Sequence, residues 1–169
     1  MKRVSPHFSE DEFYVSATYP EIARIILRTK EDRVKHYFIT HAILEPLREH
    51  IGLGVKILSG KRSPELNEKV RGVKGSNHLW EGFDWAVDFD FIYNVNGHKS
   101  GRKKDEILRK AYDFLYSHMK YSLGQMILYL TTDQLARFIH ISNPRGKEVE
   151  TLYKWQGKYG LFEKGKWRE

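Results

Sequence analysis

The sequence predicts an α+β fold, in which an antiparallel sheet carries the N-terminal helices packed on one face. Two observations support this prediction. Segments with helical spacing of apolar residues cluster early in the chain, and segments that alternate like strands come mostly late. Helices and strands segregated in this way are typical of α+β domains. Neither an internal repeat nor a Pro/Gly/Ser-rich linker divides the 169 residues, a length that suits one domain.

The predicted helices follow recognisable start signals and periodicities. Ser9 and Glu12 form a capping-box pattern, which predicts a short helix. Apolar residues recur at roughly helical spacing over Asp32–Ile51, and a glycine stop signal follows. A serine and a proline precede Glu65–Arg71, where a second short helix is expected because proline is favoured at the first helical position. The apolar stripe over Ile107–Met119 predicts a further amphipathic helix.

The predicted strands are short and lie on either side of this last helix. Val55–Leu58 is an apolar run of strand-forming residues that leads into a serine and a glycine. Ala86–Ile92 alternates between apolar residues and an acidic face that includes Asp88. Two later strands, Gln125–Leu130 and Phe138–Ser142, flank a short connecting segment.

Composition restricts both the chemistry and the partners. Cysteine is absent, which excludes disulfides, thiol nucleophiles and cysteine-ligated zinc, so any metal must be held by His, Asp or Glu. The chain has 29 Lys and Arg against 22 Asp and Glu, a formal net charge of +7. Such a balance favours polyanionic partners, namely nucleic acid, an anionic membrane surface or an anionic cell wall.

The sequence contains no segment that predicts entry into a membrane. The acidic run Glu10–Glu12, rather than an apolar run, follows the basic start, so no signal peptide is predicted. No stretch reaches the ~18 consecutive apolar residues that a spanning helix requires. We therefore expect a chain that is cytoplasmic on synthesis and does not insert into a membrane.

Two histidines and one aspartate are placed so that they can share a site. His78 lies in a loop rich in glycine and basic residues, Asp88 on the acidic face of its strand, and His140 in the middle of a late strand. If the two strands pair, Asp88 and His140 share one face of the sheet and His78 reaches over its end. Two imidazoles and one carboxylate with an open fourth position are the usual ligands of catalytic zinc. Each residue taken singly is also compatible with a structural role.

Three motifs occur in an order that indicates a family. They are Ser59-Gly-Lys-Arg-Ser63, then Ser76-Asn-His78 followed by Ala86-Val-Asp88, and finally Phe138-Ile-His-Ile-Ser142. This order resembles the zinc D-Ala-D-Ala carboxypeptidase family, which includes phage L-alanyl-D-glutamate endopeptidases and shares its fold with the hedgehog signalling domain. The similarity is greatest to the phage-type branch.

The resemblance implies a zinc cofactor held by His78, Asp88 and His140. It also implies that Arg62 stabilises the oxyanion of the tetrahedral intermediate or holds a substrate carboxylate, since the guanidinium is permanently charged and can bind two oxygens. The interval from His78 to Asp88 is longer than is usual in the family and brings in Asp84 as a rival ligand. Strand alternation favours Asp88.

The resemblance does not identify the general base. The family places a carboxylate three residues before the last histidine or one strand earlier, and these positions are Arg137 and Tyr129 here. Arginine accepts no proton, and a tyrosine with a pKa near ~10 is a poor base at neutral pH unless zinc or Arg62 lowers that pKa. Asp133, in the turn that follows, is the nearest substitute. Asp90, on the acidic strand face, is another candidate, and it also suits a hydrogen-bond partner of a ligand histidine.

We divide the chain into a zinc peptidase-like domain, residues 1–142, and a basic aromatic C-terminal extension, residues 143–169, packed on or flexibly attached to it. Basic residues cluster over Lys99–Lys110, and in the extension they are interleaved with aromatic residues. This pattern suits contact with nucleic acid through phosphates and stacking. It equally suits binding to an anionic wall polymer, or packing of the aromatic residues on the sheet.

The sequence thus predicts an enzyme, a zinc-dependent hydrolase that cleaves peptidoglycan stem peptides as a D-Ala-D-Ala carboxypeptidase or an L-Ala-D-Glu endopeptidase. The resemblance implies action at the bacterial cell wall, in bacteriophage lysis as an endolysin or as a virion component. Expected partners are peptidoglycan peptides and an anionic cell-wall polymer, with nucleic acid as the second choice. Two rival hypotheses stay open. One is a catalytically silent zinc-pocket binding module that has lost its base at Tyr129, and the other is a basic nucleic-acid-binding virion protein.

Overall fold

The computed structural model describes residues 2–93, 101–143, 150–163 and 166–168. Within them, one sheet is built from β1 to β7 and is accompanied by α-helices α1 to α5. The strands are β1 (Gly54–Ser59), β2 (Ala86–Ile92), β3 (Gln125–Leu130), β4 (Ala136–Ser142), β5 (Glu150–Trp155), β6 (Lys158–Glu163) and β7 (Lys166–Arg168). The helices are α1 (Pro20–Arg24), α2 (Lys30–Phe38), α3 (Glu45–Ile51), α4 (Pro64–Lys69) and α5 (Gly101–Met119).

The strand order across the sheet is β1-β2-β4-β3-β5-β6-β7. Neighbouring strands are antiparallel except β3 and β5, which run parallel. The predicted α+β class is confirmed, but the sheet is mixed rather than wholly antiparallel. The parallel pair arises because β5 follows β4 in the chain yet lies on the far side of β3, so that residues 150–163 continue the sheet that carries β1 to β4.

Local signals in the sequence account for the N-terminal helices. The capping box is present, since the Ser9 backbone N–H donates to the Glu12 carboxylate at 2.8 Å at the start of a 3₁₀ turn. The predicted helix over 32–51 is observed as α2 and α3, joined by a π-helical segment, Ile39–Leu44. The sequence analysis missed α1 and placed the start of α5 too late. No helix in the described ranges combines the length and apolar character needed to cross a bilayer.

The helices bury one face of the sheet and leave part of the other face open. Helix α5 packs on β3 and β4, and α3 packs on α5. Alternation within the strands sends every second side chain into this core. The strand residues buried there include Val87, Phe89, Phe91, Met126, Leu128, Ile139 and Ile141. The side chains between them point to the opposite face, which holds the polar residues described below.

His36 on α2 is buried in an aromatic part of the core. Its ring lies 4.5 Å from the ring of Phe13, 5.6 Å from that of Tyr14 and 5.3 Å from that of Trp80, measured between centroids. Neither ring nitrogen has a hydrogen-bond partner among the described residues. The Glu10 carboxylate is 4.0 Å from Nδ1. Burial lowers the pKa of His36 to about 4, so the ring is neutral at physiological pH.

This burial makes the stability of the fold depend on pH. The unfolded chain binds a proton at His36 below its usual pKa of about 6.5, whereas the folded chain does so only near 4, so stability falls as the pH decreases between these values. The loss from this residue approaches about 3 kcal/mol. We expect His36→Leu to reduce the loss of unfolding free energy between pH 7 and pH 4.5, measured by urea denaturation. The exposed His118→Leu is the control, and an unchanged pH dependence for His36→Leu would contradict the prediction.

Candidate metal centre

The pairing of β2 with β4 places two of the candidate ligands side by side. Asp88 is directly opposite His140, and Val87 is opposite Ile141. Directly opposed residues of an antiparallel pair project to the same face of the sheet. The apolar partners of this register enter the core, so Asp88 and His140 both project to the open face.

A backbone contact orients the third candidate ligand. His78 lies in a short 3₁₀ turn, Asn77–Leu79, at a point where the sequence analysis expected only a loop. Its Nδ1 donates to the Gly60 carbonyl at 2.7 Å, so Nε2 is free to face Asp88 Oδ1 at 3.4 Å. Position 60 requires glycine, because a Cβ there would lie 2.3 Å from the Phe13 carbonyl oxygen.

The three side chains form a compact donor set. His140 Nδ1 lies 2.7 Å from Asp88 Oδ1, and the ligand atoms of His78, Asp88 and His140 all lie within 4.8 Å of one another. Two imidazole nitrogens and one carboxylate oxygen fit the protein ligands of zinc. In the described ranges this is the group that could hold a metal ion. Asp84 is not part of it, and its Oδ1 instead accepts from Asn143 Nδ2 at 3.5 Å.

Burial and charge tune the candidate ligands for metal binding. Burial lowers the pKa of His78, which favours the neutral imidazole that a metal requires. Burial alone would raise the pKa of Asp88, but the two neighbouring imidazoles hold it well below its usual range. Asp88 is therefore ionised and His78 neutral at neutral pH, and these are the states in which the two side chains bind a metal.

Arg62 lies against this donor set. Its Nε donates to Ser59 Oγ at 3.0 Å, and its Nη2 lies 3.2 Å from Asp88 Oδ2. The Arg62 backbone N–H also donates to the His78 carbonyl at 2.7 Å. The segment after β1 and the turn that carries His78 are thereby fixed to each other.

The donor set lies in an open cleft of about 610 Å³. Its lining includes Arg62, Arg71, Asn77, Gln125, Ile127, Tyr129, Phe138, Ser142, Glu150, Lys154 and Tyr159. Trp80 and Trp85 are buried in the core and do not line the cleft.

The structure distinguishes the sequence-predicted base candidates by position. Tyr129 lines the cleft, but burial and the nearby Asp88 carboxylate raise its pKa, so it stays a neutral hydroxyl. Asp133 is exposed in the turn between β3 and β4 and does not line the cleft. Asp90 also does not line it, and it is bound instead by the Tyr93 hydroxyl at 2.9 Å and by the Lys104 ammonium.

Sequence reasoning missed the contribution of β5 and β6 to the cleft. Glu150 and Lys154 on β5 and Tyr159 on β6 all line it. Among the described residues it is Glu150 that adds a cleft carboxylate besides Asp88, and its Oε2 accepts from Gln125 Nε2 at 2.8 Å. The available signal for a strand here was the set of β-branched and aromatic residues at every second position, Thr151, Tyr153 and Trp155.

The basic stretches are partly engaged within the molecule. Lys104 pairs with Asp90, and Arg109 Nε lies 2.9 Å from Asp105 Oδ1 within α5. Lys99 and the segment 164–165 lie outside the described residues. Lys104 and Arg109, both in the basic stretch over Lys99–Lys110, are therefore paired with carboxylates of the molecule itself.

The fold and the donor set define an α+β protein with a candidate metal centre, and comparison with known families identifies its class. A model of the peptidase M15 family matches residues 6–116, about two thirds of the chain. The chain belongs to this family, whose members are zinc-dependent peptidases of the D-Ala-D-Ala carboxypeptidase type. The matched range includes Arg62, His78 and Asp88 and ends before His140. No curated protein and no solved structure matches the chain.

The choice between Asp88 and Asp84 as a ligand can be tested by metal content. We expect His78→Ala, His140→Ala and Asp88→Asn each to lower zinc affinity at least about 100-fold, because each removes one of three protein ligands. Asp84→Asn is the matched control and should keep about one zinc per chain. Equilibrium dialysis followed by elemental mass spectrometry measures the bound metal. Retention of zinc by Asp88→Asn together with its loss from Asp84→Asn would reverse the assignment.

Proposed function

We propose that the protein is a zinc metallopeptidase that cleaves peptidoglycan stem peptides, as a D-Ala-D-Ala carboxypeptidase or an L-Ala-D-Glu endopeptidase. The observation that carries this proposal is the cluster of His78, Asp88 and His140 in an open cleft, in a chain of the peptidase M15 family. Zinc, when bound, supplies Lewis-acid polarisation of a carbonyl and activation of water.

The residues around the cluster supply charge and hydrogen-bond donors. Arg62 is permanently charged, and Ser59 and Asp88 fix its guanidinium beside the ligands. It is therefore placed to bind negative charge that develops on the scissile carbonyl, or a carboxylate of the substrate. Tyr129 remains protonated at neutral pH, so its hydroxyl acts as a donor in the cleft and not as a base.

We further propose that the protein acts at the bacterial cell wall, in phage lysis or as a virion component. The net charge of +7 supports attraction to an anionic wall polymer, and nucleic acid is the second choice. Attraction of this kind brings a hydrolase to a large insoluble substrate before the cleft engages a peptide.

Of the two rival hypotheses, the residues at and near the cleft favour the zinc-pocket module without catalytic activity. The two positions where the family has a carboxylate base hold Tyr129 and Arg137. Within the described part of the cleft wall, Glu150 is the carboxylate that is not a candidate ligand. If catalysis occurs, Glu150 is the acidic group best placed to handle the proton.

Incubation with defined muropeptides tests the proposed activity. We expect wild-type protein loaded with zinc to release a stem-peptide fragment or a terminal D-alanine, identified by mass spectrometry. Chelation and His140→Ala should each abolish release, because both remove the metal centre. His118→Ala, on the exposed surface of α5, is the matched control and should cleave normally. Cleavage that persists after the metal is stripped would refute the metallopeptidase proposal, and full zinc content without cleavage would support the silent module.

The proton acceptor can be tested with two isosteric substitutions. Glu150→Gln should lower kcat at least about tenfold, since general acid–base catalysis contributes about 10²–10⁴-fold. Asp133→Asn should leave kcat within about twofold of wild type, because Asp133 lies outside the cleft wall. The kcat values of both variants are measured from steady-state cleavage rates of the same muropeptide. A large loss in Asp133→Asn with none in Glu150→Gln would show that the acceptor is not where the structure indicates.

A further inference from the structure

The hairpin of β5 and β6 builds a wall of the cleft from residues that the family match does not include. The matched range ends at residue 116, and the hairpin begins at Glu150. From the contacts on this wall we propose that Lys154, flanked by Tyr129 and Tyr159, binds a carboxylate of the peptide substrate. This inference rests on the proposed function and concerns substrate choice rather than the metal.

The strand register aligns these side chains in one row. Tyr129 is opposite Phe138 on one side and Lys154 on the other, and Lys154 is in turn opposite Tyr159. Residues that are paired in this way project to the same face of the sheet. All four line the cleft. The next row on this face holds His140 opposite Ile127, so Lys154 belongs to the same surface as the metal ligands.

Aromatic rings hold the Lys154 ammonium in place. Its Nζ donates to the Tyr159 hydroxyl at 3.1 Å and lies 4.7 Å from the centroid of that ring and 5.4 Å from the centroid of the Tyr129 ring. Both rings are within the range of cation–π attraction. The Tyr129 ring is stacked on Phe138 at 4.3 Å between centroids, which fixes it further. The cation is therefore positioned before any substrate arrives.

Lys154 has no carboxylate partner among the described residues, and this sets it apart from Arg62. The guanidinium of Arg62 is paired with Asp88 Oδ2 at 3.2 Å. An ammonium has three donor hydrogens, and the Tyr159 hydroxyl accepts one of them. The remaining two can bind one carboxylate. The Tyr129 hydroxyl is hydrogen-bonded to Tyr159 on the same row, so the two remaining Lys154 hydrogens are the donors that the site offers.

A peptide carboxylate is the anion that fits this site best. The surface that Lys154 shares with the metal ligands is where a stem peptide would lie if the proposed function is correct, and stem peptides carry a D-glutamate carboxyl and a terminal D-alanine carboxyl. Binding one of them at Lys154 fixes the distance between that group and the scissile bond. Lys154 is thus a specificity-determining residue.

The test combines one substitution with changes to the substrate. Lys154→Gln is compared with wild type on a muropeptide pentapeptide, on the same peptide with D-glutamate converted to D-isoglutamine, and on the same peptide with an amidated C-terminus. We expect Lys154→Gln to raise KM about tenfold for the unmodified peptide and to have no more than about a twofold effect on one amidated peptide. Lys158→Gln, on the exposed start of β6, is the control for general charge and should leave KM unchanged on every peptide.

Different outcomes separate failure of this inference from failure of the proposed function. The carboxylate site is overturned if Lys154→Gln changes KM equally for all three peptides. It is also overturned if the selective change in KM occurs in Arg71→Gln instead. In both cases the proposed cleavage activity is unaffected. If the wild-type protein cleaves none of the peptides, isothermal titration calorimetry with the same peptides tests whether Lys154 binds a carboxylate. Weaker binding of the unmodified peptide by Lys154→Gln, with no loss for one amidated peptide, supports the site. Absence of binding to wild type overturns it.

Discussion

The register between β2 and β4 is the constraint on which the candidate site depends. It places Asp88 opposite His140, and both oxygens of this carboxylate are engaged, one by the two imidazoles and the other by Arg62. A slip of one residue would send Asp88 into the apolar core and Val87 into the cleft. The hydrophobic pattern of β2 excludes that slip, so the forces that form the core also assemble the donor set.

The long segment between His78 and Asp88 is held in place because its tryptophan side chains pack in the core. Trp80 and Trp85, at the two ends of the added loop, are buried, and the Lys35 ammonium donates to the Trp80 carbonyl at 2.7 Å. The loop is thus anchored to the helical side of the molecule. Its extra residues lie away from the cleft, which explains why Asp84 does not join the ligands.

Local patterns in the sequence predicted most of the elements, and together with the family resemblance they predicted His78, Asp88 and His140 as zinc ligands, which the fold brings close together. Alternation in β2 assigned Asp88 to the open face, and capping signals located the first helical turns. The contribution of Glu150 and Lys154 was not predictable in the same way, because it depends on β5 lying parallel to β3. A parallel pairing joins strands that are distant in sequence, and no turn signal marks it. The assignment of Tyr129 as a neutral hydroxyl depends on the burial of its side chain and on the groups around it, and neither can be read from the sequence.

The appended hairpin has a consequence for how this protein changes over evolutionary time. The ligand-bearing strands β2 and β4 are interior strands of the sheet, whereas Lys154 and Tyr159 belong to strands added beyond β3. Substitutions on the added strands alter the cleft wall without touching the register that holds the ligands. With the substrate-binding role proposed for Lys154, substrate preference and metal binding become separable traits of this chain. Substrate preference can change through substitutions on these strands while metal binding is preserved.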